Sequence, residues 1–444
     1  MNMIQKLVLG FLLPLSLQAM SLQETIDEAL QHNNSLKKIF LDKEVSQKNR
    51  RIKQAQNLGR FDATLNYDHY NNARTLVPLT PMQIVSSPTG AYEMPTTNDL
   101  VSTGISYNVT LFDGFAKQNS YKISDLAYKN SLFKIKLAKA ELIYNVENIY
   151  LSLLSLQEQL KAQKKYIEAK KSLYMYIQKA YKLGGKSKLD MLEAKNAYVE
   201  AVANKNKITS NIAILKASLS QMIASDKFDK AEEVSVTFEG LQEGEPDLKS
   251  LSRLKIAALK SNIAQKRVRT AEALYYPKVD FSAYYGYSMG PNATTNTFAQ
   301  TGVTYLNKND FNSENVWQIG LHLQWNLYDF GAKSADVAKE KIALMQSKID
   351  KSITRLELEK NLKIANSKIE IAQADYTALQ SQYELLQEIE KAQQIKYENN
   401  ALSLVDLLDT QAKKELVYAQ MTEAKYGYQK AKYYKEYLLE KEVK

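Results

Sequence analysis

The chain has 444 residues, a formal net charge of +10 from 59 Lys and Arg against 49 Asp and Glu, and no cysteine. The lysines lie scattered among glutamates with no Arg-rich block, so the surplus reads as solvated helix faces and no nucleic-acid partner is expected. Absence of Cys rules out disulfides, thiolate chemistry and a lipid on an N-terminal Cys, and leaves packing to hold the fold.

Residues 1–19 read as a secretory signal, with Lys6 as the positive start, an apolar run from Leu7 to Leu17 and small Ala19 at the cut. No later stretch approaches the roughly 20 apolar residues of a membrane helix. An exported chain of this kind enters a membrane only through strands. A first repeat is expected over 20–230. It holds helices at about 21–58, 116–183 and 186–224 and strands at about 60–71 and 100–112. The first strand alternates Phe61, Ala63, Leu65 and Tyr67 with polar residues. The second alternates Val101, Thr103, Ile105, Tyr107, Val109 and Leu111. Between them runs a polar, Pro-rich loop, Asn71–Asp99. In the long helix, Leu142, Val146, Ile149, Leu153, Leu156 and Leu160 form a heptad seam, the period of helices packed side by side.

A second repeat is expected over 231–444, with helices at about 247–275, 332–398 and 402–439 and strands at about 277–289 and 316–328. Its strands alternate Val279, Phe281, Ala283, Tyr285 and Tyr287, then Trp317, Ile319, Leu321, Leu323, Trp325 and Leu327, around the loop Gly290–Asn315. Its seam is Leu358, Leu362, Ala365, Ile369, Ala372 and Tyr376. Trp317 and Trp325 share one parity, and eight tilted residues separate them by about 20 Å in height, the spacing of two aromatic girdles at membrane interfaces.

The two halves are copies at an offset of 216 residues. Leu111-Phe112-Asp113-Gly114-Phe115-Ala116-Lys117 returns as Leu327-Tyr328-Asp329-Phe330-Gly331-Ala332-Lys333. Tyr181 to Ala194, through Asp190 and Glu193, returns as Tyr397 to Thr410, through Asp406 and Asp409. Four strands cannot close a membrane barrel, and open edges in lipid cost several kcal/mol per unpaired group. Oligomerisation follows, and three copies supply twelve strands.

This duplicated arrangement, with a Leu-aromatic-Asp-Gly turn from strand to helix and acid-bearing helix tips, resembles the TolC-like outer membrane efflux proteins over essentially the whole mature chain. The resemblance implies a mainly α fold with membrane β: a trimeric 12-stranded β-barrel continuing into a periplasmic α-helical barrel. It implies an outer-membrane exit duct of a tripartite efflux or type I secretion system. Its partners are further copies of the chain, outer-membrane lipid, a periplasmic adaptor and an inner-membrane pump. By the same resemblance Asp406 and Asp409 match the paired gate acids, with Asp190 and Glu193 at the corresponding first-repeat positions; read from the residues alone, they also fit helix N-terminal acids that complement the macrodipole. Tyr397 and Asp190 match gate-locking positions, while Leu402 stands where the family carries an arginine. The tip turns at Gly184, Gly185, Asn400 and Ala401 match the adaptor-facing end.

No catalytic role, cofactor or metal is expected. His32, His69 and His322 lack ligand spacing, and Gly184-Gly185-Lys186-Ser187 lacks the upstream glycine and strand of a phosphate loop. A secreted coiled-coil surface protein without transport role accounts for the heptads but not for four alternating strands at repeated positions. A soluble nucleic-acid or envelope-binding protein accounts for the charge alone.

Overall fold

The computed structural model describes residues 19–76, 93–225, 228, 230–238, 247–297, 310–399 and 401–441. The leader up to residue 18, the central parts of both strand-joining loops and Asn400 lie outside them. In chain order the elements are α1 (Leu22–His32), α2 (Asn34–Ala55), β1 (Arg60–Thr75), β2 (Glu93–Phe112), α3 (Ala116–Lys182) and α4 (Lys188–Ile223). The second copy supplies α5 (Ser252–Glu272), β3 (Lys278–Thr297), β4 (Asp310–Gln324), α6 (Ala332–Glu398) and α7 (Leu404–Leu438). The chain separates into two compact units: residues 1–42, 131–257 and 351–444, and residues 43–130 with 258–350.

In the second of these units the strands form one antiparallel sheet in the order β1-β2-β3-β4. Its register places apolar residues opposite apolar ones: Phe61 faces Tyr107, Ile105 faces Tyr285, Val109 faces Phe281, which faces Leu321, and Val279 faces Leu323. Period-two alternation thus becomes one continuous apolar face, on which Phe61, Leu65, Ile105, Trp317, Ile319 and Leu321 are all exposed. β1 and β4 are the two edges of the sheet.

Several boundaries differ from the sequence reading. The strands run on into the expected loops Asn71–Asp99 and Gly290–Asn315, β1 reaching Thr75, β2 starting at Glu93, β3 reaching Thr297 and β4 starting at Asp310, because the ladder pairing continues there. The expected helix at 21–58 is broken at Asn33, whose Oδ1 accepts from Leu36 N–H as the cap of α2 while its amide donates to the Met222 carbonyl. β4 stops at Gln324, because its partner β3 begins opposite at Lys278, just after Pro277, which has no N–H to extend the ladder. Trp325 therefore lies past the strand end, and its indole N–H donates to the Tyr275 carbonyl at 3.1 Å.

Both strand-to-helix turns place two successive residues at positive φ, Gly114 (65°) with Phe115 (68°), and Phe330 (55°) with Gly331 (94°). Asp113 and Asp329 then accept from the backbone N–H of Lys117 and Lys333, capping α3 and α6. The order of Gly and Phe differs for a steric reason. A Cβ at Gly114 would stand 2.6 Å from the Ala273 carbonyl oxygen. Phe330, at the equivalent place, is 91% exposed.

In the first unit the seam residues of α3 and α6 are all buried or half-buried. The main core joins Ile26 and Ala29 of α1, Val146, Tyr150 and Leu153 of α3, Leu219 and Ile223 of α4, and Tyr426 of α7. Segment 230–232 pairs with Met20, and the fully buried Tyr150 hydroxyl lies within 3.0 Å of the Met20 and Glu232 carbonyl oxygens and accepts from Glu232 N–H. Burial pushes that phenol up to about 12.

Candidate functional site

The helix tips are built twice by the same local chemistry. α3 ends in a left-handed Gly184 (φ 73°), with Gly185 N–H bonded back to the Ala180 carbonyl and Gly184 N–H to that of Tyr181. This paired pattern is a Schellman cap, in which glycine takes the positive φ without penalty. In the second tip Ala401 N–H reaches Lys396 at 2.8 Å, the equivalent 216 positions on. Gly184, Gly185 and Ala401 are all exposed.

The helices that follow begin on serine caps. Asp190 N–H bonds to Ser187 Oγ at 3.1 Å, and the Asp190 carboxylate accepts from Ser187 N–H at 2.9 Å and Oγ–H at 2.8 Å, a complete capping box. Those bonds, the backbone one first, hold Asp190 below the usual carboxylate range. Asp406 repeats this with Ser403, at 2.6 Å from the hydroxyl and 3.2 Å from Asp406 N–H to Ser403 Oγ. Two of the sequence-derived gate acids are thus third-position capping acids within their own helices. Among the described residues no hydrogen bond joins Tyr397, exposed in the last turn of α6, to Asp190.

Asp409 lies one turn beyond Asp406, three residues apart on one helical face. It is not a free anion. Lys413 Nζ lies at 2.9 Å and Lys170 Nζ of α3 at 3.4 Å, and these ammonium groups, Lys413 first, hold its carboxyl below the usual range. Further along α7, Lys414 pairs with Glu390 of α6 at 2.6 Å and with Glu415 at 3.4 Å. α7 is thereby tied by charge to both long helices. In the first repeat Glu193 is exposed and stands where Asp409 does in the second.

Sequence reasoning missed Ser187, Ser403, Lys170 and Lys413. The serines carry a readable signal, Ser-x-x-Asp ahead of an apolar run. Lys170 carries none, since 239 residues separate it from Asp409. On the sheet, Trp317 is 68% exposed on the apolar face, as the alternation expects. Trp325 is exposed as well, but its indole is fixed to Tyr275 rather than carried on a strand.

An apolar sheet face with two open edges, joined to duplicated pairs of long helices with capped tips, defines a class of membrane duct subunits. A family model described as outer membrane efflux protein matches residues 25–225 and 248–433. The chain belongs to the outer membrane efflux protein family. That family places the chain in the outer membrane. Among solved structures, the CmeC outer membrane channel of Campylobacter jejuni shares 17% identity and a TM-score of 0.74, over 94% of this chain and 85% of that one. The outer membrane protein VceC of Vibrio cholerae shares 15% identity and a TM-score of 0.72, over 94% and 95%. A membrane protein from Pseudomonas aeruginosa shares 16% identity and a TM-score of 0.75, over 94% and 93%. These likenesses show the fold. No curated protein matches the chain.

Proposed function

We propose that three copies of this chain close a 12-stranded barrel and a helical tunnel, forming the passive exit duct of a tripartite efflux or type I secretion system. The observation that carries this reading is an exposed apolar stripe of α6, on the N-terminal side of its buried heptad seam. Ile342, Met345, Ile349, Ile353 and Leu356 step by three and four along it and are all exposed. Among the described residues nothing covers that stripe or the edges of β1 and β4, and a second copy supplies matching surfaces for both. Family membership supports the partners, a periplasmic adaptor and an inner-membrane pump that provides the energy. Residues 1–19 serve as the export signal. Trp317 and Trp325 anchor the barrel at the lipid interfaces. The turns at Gly184, Gly185, Asn400 and Ala401 meet the adaptor.

The gate lies at the same tips, with Asp406, Asp409, Asp190, Glu193 and Tyr397 around the constriction. In this chain Lys170 takes part as well, because it holds Asp409 to α3 and so holds α7 in place. Opening then means parting α7 from α3, with Lys170 releasing Asp409. In planar bilayers Asp409→Asn and Lys170→Met should each raise the conductance of the resting channel. The pair is half exposed, worth about 0.2–1 kcal/mol and weakened by salt. Asp406→Asn with Asp409→Asn should weaken block by multivalent cations from the periplasmic side. Unchanged conductance, selectivity and block in all of these would place the gate elsewhere.

A further inference from the structure

One acid in the helical unit has no counterpart in the gate or the seam. Glu147, on α3, is only 5% exposed, and among the described residues no hydrogen bond or ion pair satisfies its carboxyl. It lines a cavity of about 490 Å³ together with Glu436 of α7, the phenols of Tyr144, Tyr433 and Tyr437, and Gln23 of α1. Lys441 lines it too, yet no ion pair within 4.0 Å joins that lysine to either acid. A buried carboxylate is not stable alone; it takes a proton or a cation. The space admits either, the proton when the site is empty and a cation when one enters. A proton needs no room, whereas this cavity holds a molecule of several heavy atoms, a water occupying about 30 Å³ of liquid.

The wall chemistry narrows the class. Hard divalent ions want six or more oxygen ligands, and no cluster of three or more acidic or histidine side chains exists among the described residues. Phenol rings attract organic cations, and Tyr437 already holds the Arg253 guanidinium 4.3 Å from its ring centre. The geometry points to a binding site for a small organic ammonium ion, its N–H donors on Glu147 and Glu436 and its carbon chain against the tyrosines and Ile143. This site is separate from the tip and does not depend on the gate reading. Burial, and after it the charge of Glu436, pushes Glu147 up to about 8, so near neutral pH the entering cation displaces a proton.

The test is calorimetric titration of the full-length protein in detergent with n-butylammonium at pH 7, in two buffers of different ionisation enthalpy. Saturable binding is expected, with about one proton released per ion. Glu147→Gln, which mimics the protonated acid and keeps the shape of the core, should lose about tenfold or more in affinity together with the proton release. Glu436→Gln should weaken binding in the same direction and serves if the first variant does not fold. Glu388→Gln, an exposed acid elsewhere in the unit, should bind like the wild type. Absence of binding to the wild type, from a site filled by a proton or by a neighbouring copy's lysine, overturns the assignment. Equal binding in wild type and Glu147→Gln overturns it as well.

Discussion

α3 and α6 occupy the same place in the two repeats and have the same length, 67 residues, yet they meet different surroundings. α3 buries Val146, Tyr150, Leu151, Leu153 and Leu154 in the core of its own chain. α6 buries Leu358, Ala365 and Ile369 but leaves Ile342, Met345, Ile349, Ile353, Leu356 and Ile371 exposed. The following helices differ in the same way. α4 buries five residues and α7 twelve, so α7 is the one enclosed within the chain. Duplication preserved the helices and their caps, and the sequence then diverged according to what each copy faces. Within the chain α3 and α7 are the more enclosed pair, and α6 and α4 keep the more exposed apolar residues.

The sharpest way to break that contrast is a charge on each helix. Val146→Asp places an unpaired carboxylate in a fully buried position on α3, and it should cost several kcal/mol and abolish a cooperative thermal transition. Ile349→Asp on exposed α6 should leave the helicity of the chain intact, since surface changes stay within about 0.5 kcal/mol. Equal damage from both would mean that the two helices are equally buried within the chain.

A second test uses pH. Glu147 corresponds in the repeat to Lys363, which is exposed. Burial, and after it the charge of Glu436, raises Glu147 from the ordinary carboxylate range to about 8 on folding, so its contribution is fully present below the unfolded value and is lost as pH climbs through the folded one. Stability should therefore fall by roughly 3–5 kcal/mol between pH 5 and pH 9 on account of this group. Glu147→Gln should flatten that slope in thermal melts, and Lys363→Gln should not change it.

On the sheet the comparison is between faces. Leu321→Arg sets a charge on the apolar face and should cost about 2–4 kcal/mol in membrane assembly, whereas Gln318→Lys, on the other parity of β4, should be tolerated. Like behaviour of the two in heat-modifiability assays would contradict the facing of the strands.

Most of this architecture is legible in the sequence because it rests on local periodicity. Alternation read four strands and their faces, heptads read the α3 and α6 seams, and the repeat gave the equivalence of Gly185 with Ala401. The boundaries at Asn33 and Gln324 were not legible, since they depend on Met222 and on where β3 starts, both remote in sequence. The acids expected at the gate lie in the first turns of α4 and α7, where Asp190 and Asp406 bond to Ser187 and Ser403, the helix-start role that a short-range Ser-x-x-Asp pattern signals. The pairing of Lys170 with Asp409 arises only from packing α7 against α3.

The exposed stripe of α6 bears most directly on the proposed duct, and the particle mass in detergent tests it. Wild-type protein should run at three times the mass of the chain, while Ile349→Asp with Leu356→Asp should give a helical, folded monomer. A wild-type protein that stays a stable folded monomer, or a double variant that still assembles in threes, would contradict a stripe shared between copies.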